Sequence, residues 1–271
     1  MRKTKIFGLV LIVLMLLLVT IAPVQAIIGG EPDNGQHPYV GIMFSFGMGE
    51  PVACTGTLIS PTIFLTAGHC TALTNGDDVY VWFNESLPFM PLIDYFVHPW
   101  DFPGYEPVMG TAYTYPEFTW DTYVMSDVGV VVLTEPVVGV SEFGALPAAG
   151  ELSGLKTERG LQNTTFTTVG YGYQAVLPGW QNVWEPKRLV AHPKLIQIDV
   201  PGTVGDFAFL FTCNPVTGGI GFIDSGSPNF LGESNVIAGV TSSGNQGSMG
   251  WGLAFRLDQP EVLDWIGSFL P

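Results

Sequence analysis

The feature that most constrains the fold is the recurrence of short apolar runs between turn-forming residues. The chain contains 34 glycines and 21 prolines among its 271 residues, and Gly, Pro, Asn or Asp punctuates nearly every gap between the runs. Many short runs of this kind favour strands over helices and predict a β-sandwich or β-barrels. The predicted strands are 39–46, 57–65, 79–83, 128–133, 166–170, 195–200, 236–241 and 253–257.

Two regions depart from this pattern. The first is a predicted C-terminal helix, which Asp258 can cap and whose first turn suits Pro260. Its apolar face would be formed by Val262, Leu263, Ile266 and Phe269. The second is residues 99–125, which show no clear periodicity and are rich in Tyr, Phe, Trp and Pro. A stretch of that length is either a functional loop or disordered, and its aromatic content favours a packed, functional loop.

Composition excludes several classes of protein. Hydrophobic residues make up 47% and charged residues 12% of the chain, whereas disordered chains have low hydrophobicity and high charge. The formal net charge of −15 leaves no electrostatic footprint for nucleic acid. Three cysteines are too few for a disulfide-dense scaffold. No acidic spacing matches a metal-binding loop, so we expect no metal and no cofactor.

Residues 1–26 have the layout of a secretory signal peptide. A basic start precedes an uncharged apolar run over Ile6–Ala22, and Val24 and Ala26 place small residues at a cleavage site. The alternative is an uncleaved anchor helix, because a run of this length can just span a bilayer. Pro23 and the cleavage site favour removal. We therefore expect a secreted, extracytoplasmic protein that is not attached to a membrane after cleavage.

Three short motifs carry the chemistry. His69 follows a strand-like run in Leu-Thr-Ala-Gly-His-Cys, Asp127 opens a buried-type strand, and Ser225 lies in the sequence Asp-Ser-Gly-Ser-Pro. Acyl transfer by serine needs a base that takes the hydroxyl proton and an acid that holds this base in the right tautomer. Each motif alone has an ordinary structural explanation. Their order and their neighbours make them point to the same chemistry.

On these motifs the chain resembles the trypsin/chymotrypsin family of serine endopeptidases. The sequence Ile-Ile-Gly-Gly at 27–30 is similar to the activated N-terminus of the family, and Gly-Tyr-Gly at 170–172 also falls where the family has similar residues. The resemblance implies an all-β fold of two six-stranded antiparallel β-barrels with a C-terminal helix and the active site between the barrels. The implied units are an N-terminal barrel over about 27–145, a C-terminal barrel over about 146–257 and a helix over about 258–269.

The resemblance also assigns roles at the active site. It makes His69 the general base, Asp127 the acid that orients it and Ser225 the nucleophile. The backbone N–H groups of Ile223 and Ser225 would form the oxyanion hole. No metal takes part in this chemistry.

Further roles follow from the same resemblance. After cleavage behind Ala26, the new α-amine of Ile27 would pair with Asp224, and Ser242 would support the buried aspartate. The primary specificity pocket would be floored by Gly219 and walled by Ser243, Gly244 and Gly252, with Ser242 beside it. Because none of these residues is charged, we expect cleavage after uncharged apolar residues, and the wall glycines predict room for a bulky one.

The resemblance pairs Cys54 with Cys70 in a disulfide and leaves Cys213 over. Cys213 is then either a buried reduced thiol or part of an intermolecular bridge, and the former is favoured. The segment 100–123 makes the interval between His69 and Asp127 longer than the family usually has, and in the family this loop overhangs the substrate cleft.

One departure from the family's sequence pattern leaves two interpretations of the function. The family has a glycine where this chain has Ile223, and a β-branched residue tolerates an unusual φ poorly. We expect a secreted serine endopeptidase, a monomer, that hydrolyses polypeptides through an acyl-enzyme. The alternative is an impaired or inactive protease homologue that acts as a secreted binding protein.

Overall fold

The computed structural model describes residues 27, 29–47, 49–74, 78–155, 163–177, 181–200, 205–245 and 250–271. The predicted signal peptide, residues 1–26, lies outside the described residues. Over the described ranges, none of the helices combines the length and the apolar character that crossing a bilayer requires.

The first half of the chain folds into a closed antiparallel barrel of six strands, in the order β2-β3-β4-β7-β6-β5. Apolar side chains fill its interior, and elements outside the barrel cover parts of its outer face, as where Phe44 stacks on Tyr95 at 4.5 Å between ring centroids. The strands are β2 (Val40–Gly47), β3 (Glu50–Ser60), β4 (Ile63–Thr66), β5 (Val79–Trp82), β6 (Val108–Thr114) and β7 (Gly129–Leu133), and the short helices α1 (Gly68–Leu73) and α2 (Asp94–Val97) connect them.

Two predictions for this barrel are corrected by the structure. The run 57–65 is not one strand, because it belongs to the hairpin of β3 and β4. The aromatic region 99–125 is not a loop throughout, because β6 lies within it and pairs with both β5 and β7. At Gly110 of β6, an added Cβ would lie 2.5 Å from a methyl group of Val131. The barrel therefore needs a glycine inside a strand, where a glycine weakens the sequence signal.

The second half forms a curled eight-stranded sheet in the order β1-β11-β8-β14-β15-β16-β13-β12. Together with the closed barrel it gives the predicted two-barrel fold, which is confirmed. The second sheet has more than the six strands expected, and one of them, β1, is a two-residue strand from the N-terminal segment. Its strands are β1 (Glu31–Pro32), β8 (Phe166–Gly170), β11 (Leu189–Ala191), β12 (Leu195–Val200), β13 (Gly205–Cys213), β14 (Pro228–Leu231), β15 (Ile237–Gly244) and β16 (Gly250–Arg256), and a separate hairpin joins β9 (Ala175–Leu177) to β10 (Gln181–Val183).

The C-terminal helix α3 (Pro260–Gly267) begins at the predicted proline. Its N-cap residue is Gln259, so the prediction that Asp258 caps the helix is wrong. Asp258 is instead buried in an ion pair with Arg256, at 2.9 Å, and accepts a hydrogen bond from the backbone N–H of Leu152. The attraction of a buried guanidinium outweighs the local preference for a capping position.

The two halves of the molecule are joined by the buried side chain of Arg188, just before β11. Its Nε donates to Asp33 at 2.8 Å, and its Nη1 donates to the carbonyls of Val40 and Phe83 in the first barrel, each at 3.0 Å. Nη1 also lies 3.2 Å from the Tyr171 hydroxyl of the second unit. Burial raises the pKa of Asp33, but the hydrogen bond from His37 and the charge of Arg188 outweigh it and hold that pKa below its usual value.

We expect Arg188→Met to lower the free energy of unfolding by about 3–5 kcal/mol, because it leaves the Asp33 carboxylate buried without its cation. Urea unfolding measures this. Lys187→Met, next to it in the chain, removes a charge that forms no ion pair among the described residues, and should change the free energy by about 0.5 kcal/mol at most. Asp33→Asn combined with Arg188→Met should recover part of the loss. Equal effects of Arg188→Met and Lys187→Met would contradict the role of the buried pair.

Candidate active site

His69 is held at the start of α1, directly after strand β4 ends. The next residue, Cys70, forms a disulfide with Cys54 of β3, as predicted. A cross-link that closes a loop of this size stabilises a fold by roughly 3 kcal/mol in chain-entropy estimates. Cys54, His69 and Cys70 place their ligand-type atoms within 4.8 Å of one another, but sulfurs joined in a disulfide offer no thiolate to a metal. The cluster therefore fixes the helix that carries His69.

The carboxylate of Asp127 orients the His69 ring. Nδ1 of His69 lies 2.9 Å from Oδ2 and 3.1 Å from Oδ1 of Asp127, and the backbone N–H of His69 donates to Oδ1 at 2.8 Å. The hydroxyl of Ser242 donates to Oδ2 at 2.5 Å. Because a carboxylate accepts hydrogen bonds, this arrangement puts the ring proton on Nδ1 and leaves Nε2 as an acceptor. Asp127 is fully buried and His69 is partly exposed.

The segment before Asp127 packs directly against this histidine helix. A Cβ on Gly68 would lie 2.9 Å from the ring of Phe118 and 3.0 Å from the backbone nitrogen of Val128. The ring of Tyr123 meets the His69 ring edge-on, with centroids 6.0 Å apart. Glycine at position 68 therefore makes room for the long segment beside the site.

The middle of the predicted aromatic loop packs away from the site. Tyr113 packs on Phe269 and Tyr115 packs on Trp265, so both cover the C-terminal helix region. Trp120 is about half exposed and touches Phe118 edge-on at 5.2 Å. The end of the segment nearest to Asp127, with Phe118 and Tyr123 beside the histidine helix, is the strongest candidate for substrate contact.

Ser225 lies in a turn that two hydrogen bonds connect to strand β3 of the first barrel. The backbone N–H of Thr55 in β3 donates to the Ser225 carbonyl at 2.8 Å, and the Thr55 hydroxyl donates to the Ile223 carbonyl at 3.0 Å. Ser225 is half-buried. Its hydroxyl forms no hydrogen bond with any residue that the structure describes, so His69 and Ser225 face one site without a direct bond. Such bonds are often loose without substrate and tighten in the complex.

The turn before Ser225 presents two backbone N–H groups, those of Ile223 and Ser225. The Asp224 N–H donates to the Gly221 carbonyl at 3.2 Å, and Ile223 has a φ of 79°, which together define a type II turn. The Phe222 carbonyl accepts from the N–H of Tyr173 at 2.9 Å, so the Ile223 N–H on the same peptide points the opposite way. Across the described ranges, neither the Ile223 N–H nor the Ser225 N–H donates to a protein acceptor.

Asp224 is buried at the base of this turn. Its carboxylate accepts from the backbone N–H groups of Gly172 and Gly221, each at 2.7 Å, and burial raises its pKa to about 7. Ile27 is also buried, but it packs against Leu189 and Ala191. Among the ion pairs of the described residues, none joins Ile27 to Asp224. In the chain that carries residues 1–26, the Ile27 nitrogen belongs to a peptide bond and has no charge to offer.

The three glycines predicted to shape the specificity pocket do not surround an open slot. A Cβ on Gly244 and a Cβ on Gly252 would each lie 3.0 Å from Cδ1 of Ile220. The Ile220 side chain thus fills the space beside both glycines and is itself buried. Room for a bulky side chain therefore stays a prediction, and the position of Ile220 argues against it. Ser243, between Ser242 and Gly244, is half-buried at the rim.

Beneath this pocket lies Cys213. A Cβ on Gly219 would lie 2.3 Å from its sulfur, and the thiol contacts the Ile220 carbonyl at 3.4 Å. Burial, and secondly the Asp224 carboxylate, raise the pKa of Cys213 to about 12. It stays a protonated, buried thiol, which agrees with the favoured prediction and leaves no charge at the predicted pocket floor.

Two positioning residues, Thr55 and Tyr173, were not predicted from sequence. Tyr173 acts through its backbone N–H, which carries no residue-type signal, and Thr55 acts through its backbone N–H and its hydroxyl on residues more than 160 positions later in the chain. The structure brings His69, Asp127, Ser225, Ile223 and Ser242 together, and the Ile27–Asp224 ion pair stays a prediction for the processed chain.

Comparison with known proteins places this geometry in a family. A family model described as Trypsin matches residues 27–266. Among solved structures, HL collagenase is similar at 20% identity and a TM-score of 0.64, over 89% of this chain and 97% of that chain. The scabies mite inactivated protease paralogue S-I1 is similar at 17% identity and a TM-score of 0.62, over 89% of this chain and 98% of that chain.

A second scabies mite inactivated protease paralogue, S-D1, is similar at 16% identity and a TM-score of 0.63, over 88% of this chain and 95% of that chain. A search of curated protein sequences finds no significant match. At these identities the structural likenesses speak for the fold alone. Because the family model spans most of the chain, the chain belongs to the trypsin family.

Proposed function

We propose that the protein is a secreted serine endopeptidase that hydrolyses polypeptides through an acyl-enzyme on Ser225. The observation that carries this proposal is the Asp127–His69 hydrogen-bonded pair beside a half-buried serine. The backbone N–H groups of this serine and of Ile223 have no protein acceptor among the described residues. Secretion is supported by the layout of residues 1–26 and by the Cys54–Cys70 disulfide, because disulfides persist in oxidising compartments.

In the proposed reaction, Nε2 of His69 takes the proton of the Ser225 hydroxyl while Oγ attacks the substrate carbonyl. Asp127 keeps the ring in the tautomer that allows this and stabilises the imidazolium that forms. The N–H groups of Ile223 and Ser225 donate to the carbonyl oxygen as it becomes negative. His69 then returns the proton to the departing amine, and water repeats the sequence on the acyl-enzyme.

The alternative is a secreted binding protein on the same fold without activity. The positive φ of Ile223 and the absence of a direct His69–Ser225 bond in this structure favour it. The loss of one oxyanion donor costs about 10²–10³ in kcat, so a turn that failed to hold its N–H would leave an impaired enzyme.

Labelling with a fluorophosphonate probe separates the two functions. We expect the protein to be labelled at neutral pH, and Ser225→Ala to abolish labelling, because the probe forms its bond with the activated serine oxygen. Ser268→Ala removes an exposed hydroxyl that donates to the Trp265 carbonyl at the end of α3 and should leave labelling unchanged. Mass spectrometry of the intact protein measures the adduct. Folded, unlabelled wild-type protein would support the binding protein instead.

Activation through the new N-terminus gives a second prediction, on stability. While residues precede Ile27, the pKa of Asp224 in the folded state, about 7, exceeds its unfolded value of 3.8. The folded state then binds the proton more tightly, so the free energy of unfolding falls as the pH rises from about 4 to about 7. Asp224→Asn should lack this fall.

Protein processed after Ala26 should lose the same fall, because an Ile27 ammonium that pairs with Asp224 lowers the pKa of the carboxyl. Urea unfolding at several pH values compares the three forms. Identical pH dependence in the processed and unprocessed proteins would show that the Ile27–Asp224 pair does not form.

The filled pocket gives a prediction on specificity. We propose cleavage after small, uncharged apolar residues, because Ile220 occupies the space beside Gly244 and Gly252. Ile220→Ala should raise kcat/KM for a substrate with Phe before the cut, relative to one with Ala, by about tenfold or more. Val216→Ala, a 92% exposed position in the same segment, should leave this ratio unchanged. A wild-type preference for Phe over Ala would contradict the filled pocket.

A further inference from the structure

We propose that a second cavity, separate from the Ser225 site, binds an organic cation with a guanidinium head. The cavity has a volume of about 280 Å³ and shares no lining residue with the site of His69, Asp127 and Ser225. It lies where β1 and β11 meet the turn at 233–235. The residues on which the proposal rests are Glu31, His37, Tyr39, Glu142, His192 and Glu233. We refer to it as the Glu142 cavity.

The wall of the Glu142 cavity is negatively charged. Three carboxylates line it, from Glu31, Glu142 and Glu233, and none of its lining residues is a lysine or an arginine. One of these carboxylates, Glu31, lies 3.3 Å from Nε2 of His192, whereas Glu142 and Glu233 form no ion pair among the described residues. Arg188, which donates to the carbonyl of Val40 next to Tyr39, is buried and paired with Asp33 at 2.8 Å. Its charge is thus already balanced, and the cavity keeps a net negative wall in a protein that is itself acidic.

A buried hydroxyl without a partner opens onto this cavity. Tyr39 is only 5% exposed, and its ring packs edge-on against Phe230, at 5.8 Å, and against His37, at 5.9 Å. Its hydroxyl forms no hydrogen bond with any described residue, yet it is not among the fully enclosed polar atoms. The tyrosine lines the cavity, and burial, and secondly the Glu142 carboxylate, raise the pKa of its hydroxyl to about 12. Buried polar groups are normally hydrogen-bonded, so a ligand in the cavity can supply a partner for this hydroxyl.

The spacing of these groups favours a larger cation over a bare metal ion. Among the described residues, no three carboxylate or imidazole groups of this cavity bring ligand atoms within 4.8 Å of one another. A guanidinium carries five N–H donors on a rigid plane and can reach several separated acceptors at once. The volume equals the share of about nine water molecules at ~30 Å³ each, which is enough for an arginine-sized group.

Two sources could present this head group: a free small molecule or an arginine side chain of a peptide. Propylguanidinium probes the first, with propylurea as its neutral isostere. The blocked tripeptide acetyl-Gly-Arg-Gly-amide probes the second, with citrulline in place of Arg as the control. Binding is followed by amide chemical shifts in the otherwise intact protein. The experiment does not depend on Ser225, so its outcome is independent of the proposed protease function.

We expect propylguanidinium to bind saturably and propylurea not to bind. Glu142→Gln and Tyr39→Phe should each weaken binding by about threefold or more, because each removes one acceptor. Glu135→Gln removes an exposed carboxylate outside the cavity and should change the Kd by less than about twofold. Tyr39→Phe keeps the packed ring and so preserves the fold.

The arms of the experiment identify the source of the ligand. Binding of the Arg tripeptide about tenfold tighter than propylguanidinium supports a peptide-borne arginine, and equal affinity supports a free guanidinium ligand. Either result supports the cavity as a cation site. The proposal is overturned if propylguanidinium and propylurea give the same shifts, or if Glu142→Gln and Tyr39→Phe bind as Glu135→Gln does.

Discussion

The site depends on the two hydrogen bonds that Thr55 donates to the turn that carries Ser225. His69 and Asp127 belong to the first barrel and Ser225 to the second unit, so the chemistry requires the two units to be held in register. Thr55 holds them through its N–H on the Ser225 carbonyl, at 2.8 Å, and its hydroxyl on the Ile223 carbonyl, at 3.0 Å. A Cβ on Gly226 would lie 2.4 Å from the Thr55 carbonyl. The glycine after the serine is thus required by the same contact.

The sequence predicted the residues that neighbouring strands bring to the site. It failed where the position of a side chain depends on packing against segments distant in the chain. Thr66 of β4 pairs with Gly129 of β7, so His69, just after one strand, and Asp127, just before the other, emerge at the same end of the barrel. The motifs together with the family resemblance were sufficient for that. The sequence did not reveal that Ile220 fills the pocket, because this depends on how the residue packs against β15 and β16, which follow it in the chain. It also missed β6, whose alternation is interrupted by a glycine that the barrel requires.

The strain at Ile223 is offset by contacts that no local pattern reveals. A β-branched residue with positive φ costs about 1–2 kcal/mol. Against this, the Phe222 carbonyl accepts from Tyr173 at 2.9 Å and the Ile223 carbonyl accepts from Thr55 at 3.0 Å, and each such bond contributes about 1 kcal/mol. The side chain is only 4% exposed, and burial of an isoleucine adds about 1.5–3 kcal/mol. These contributions together exceed the strain, so the turn can keep its shape with isoleucine.

This balance bears on the choice between an enzyme and an inactive homologue. The fold cannot make that choice, because it is retained with and without activity. The decisive elements are the Asp127–His69 pair and the peptide between Phe222 and Ile223, whose N–H must face the substrate. The bond from Tyr173 to Phe222 holds that peptide from its carbonyl side and so leaves the N–H for an oxyanion. In place of the conformational freedom of glycine, this chain uses two hydrogen bonds and a buried side chain to hold the same donor. The positive φ of Ile223 therefore weighs less in favour of an inactive protein than the residue type alone suggests.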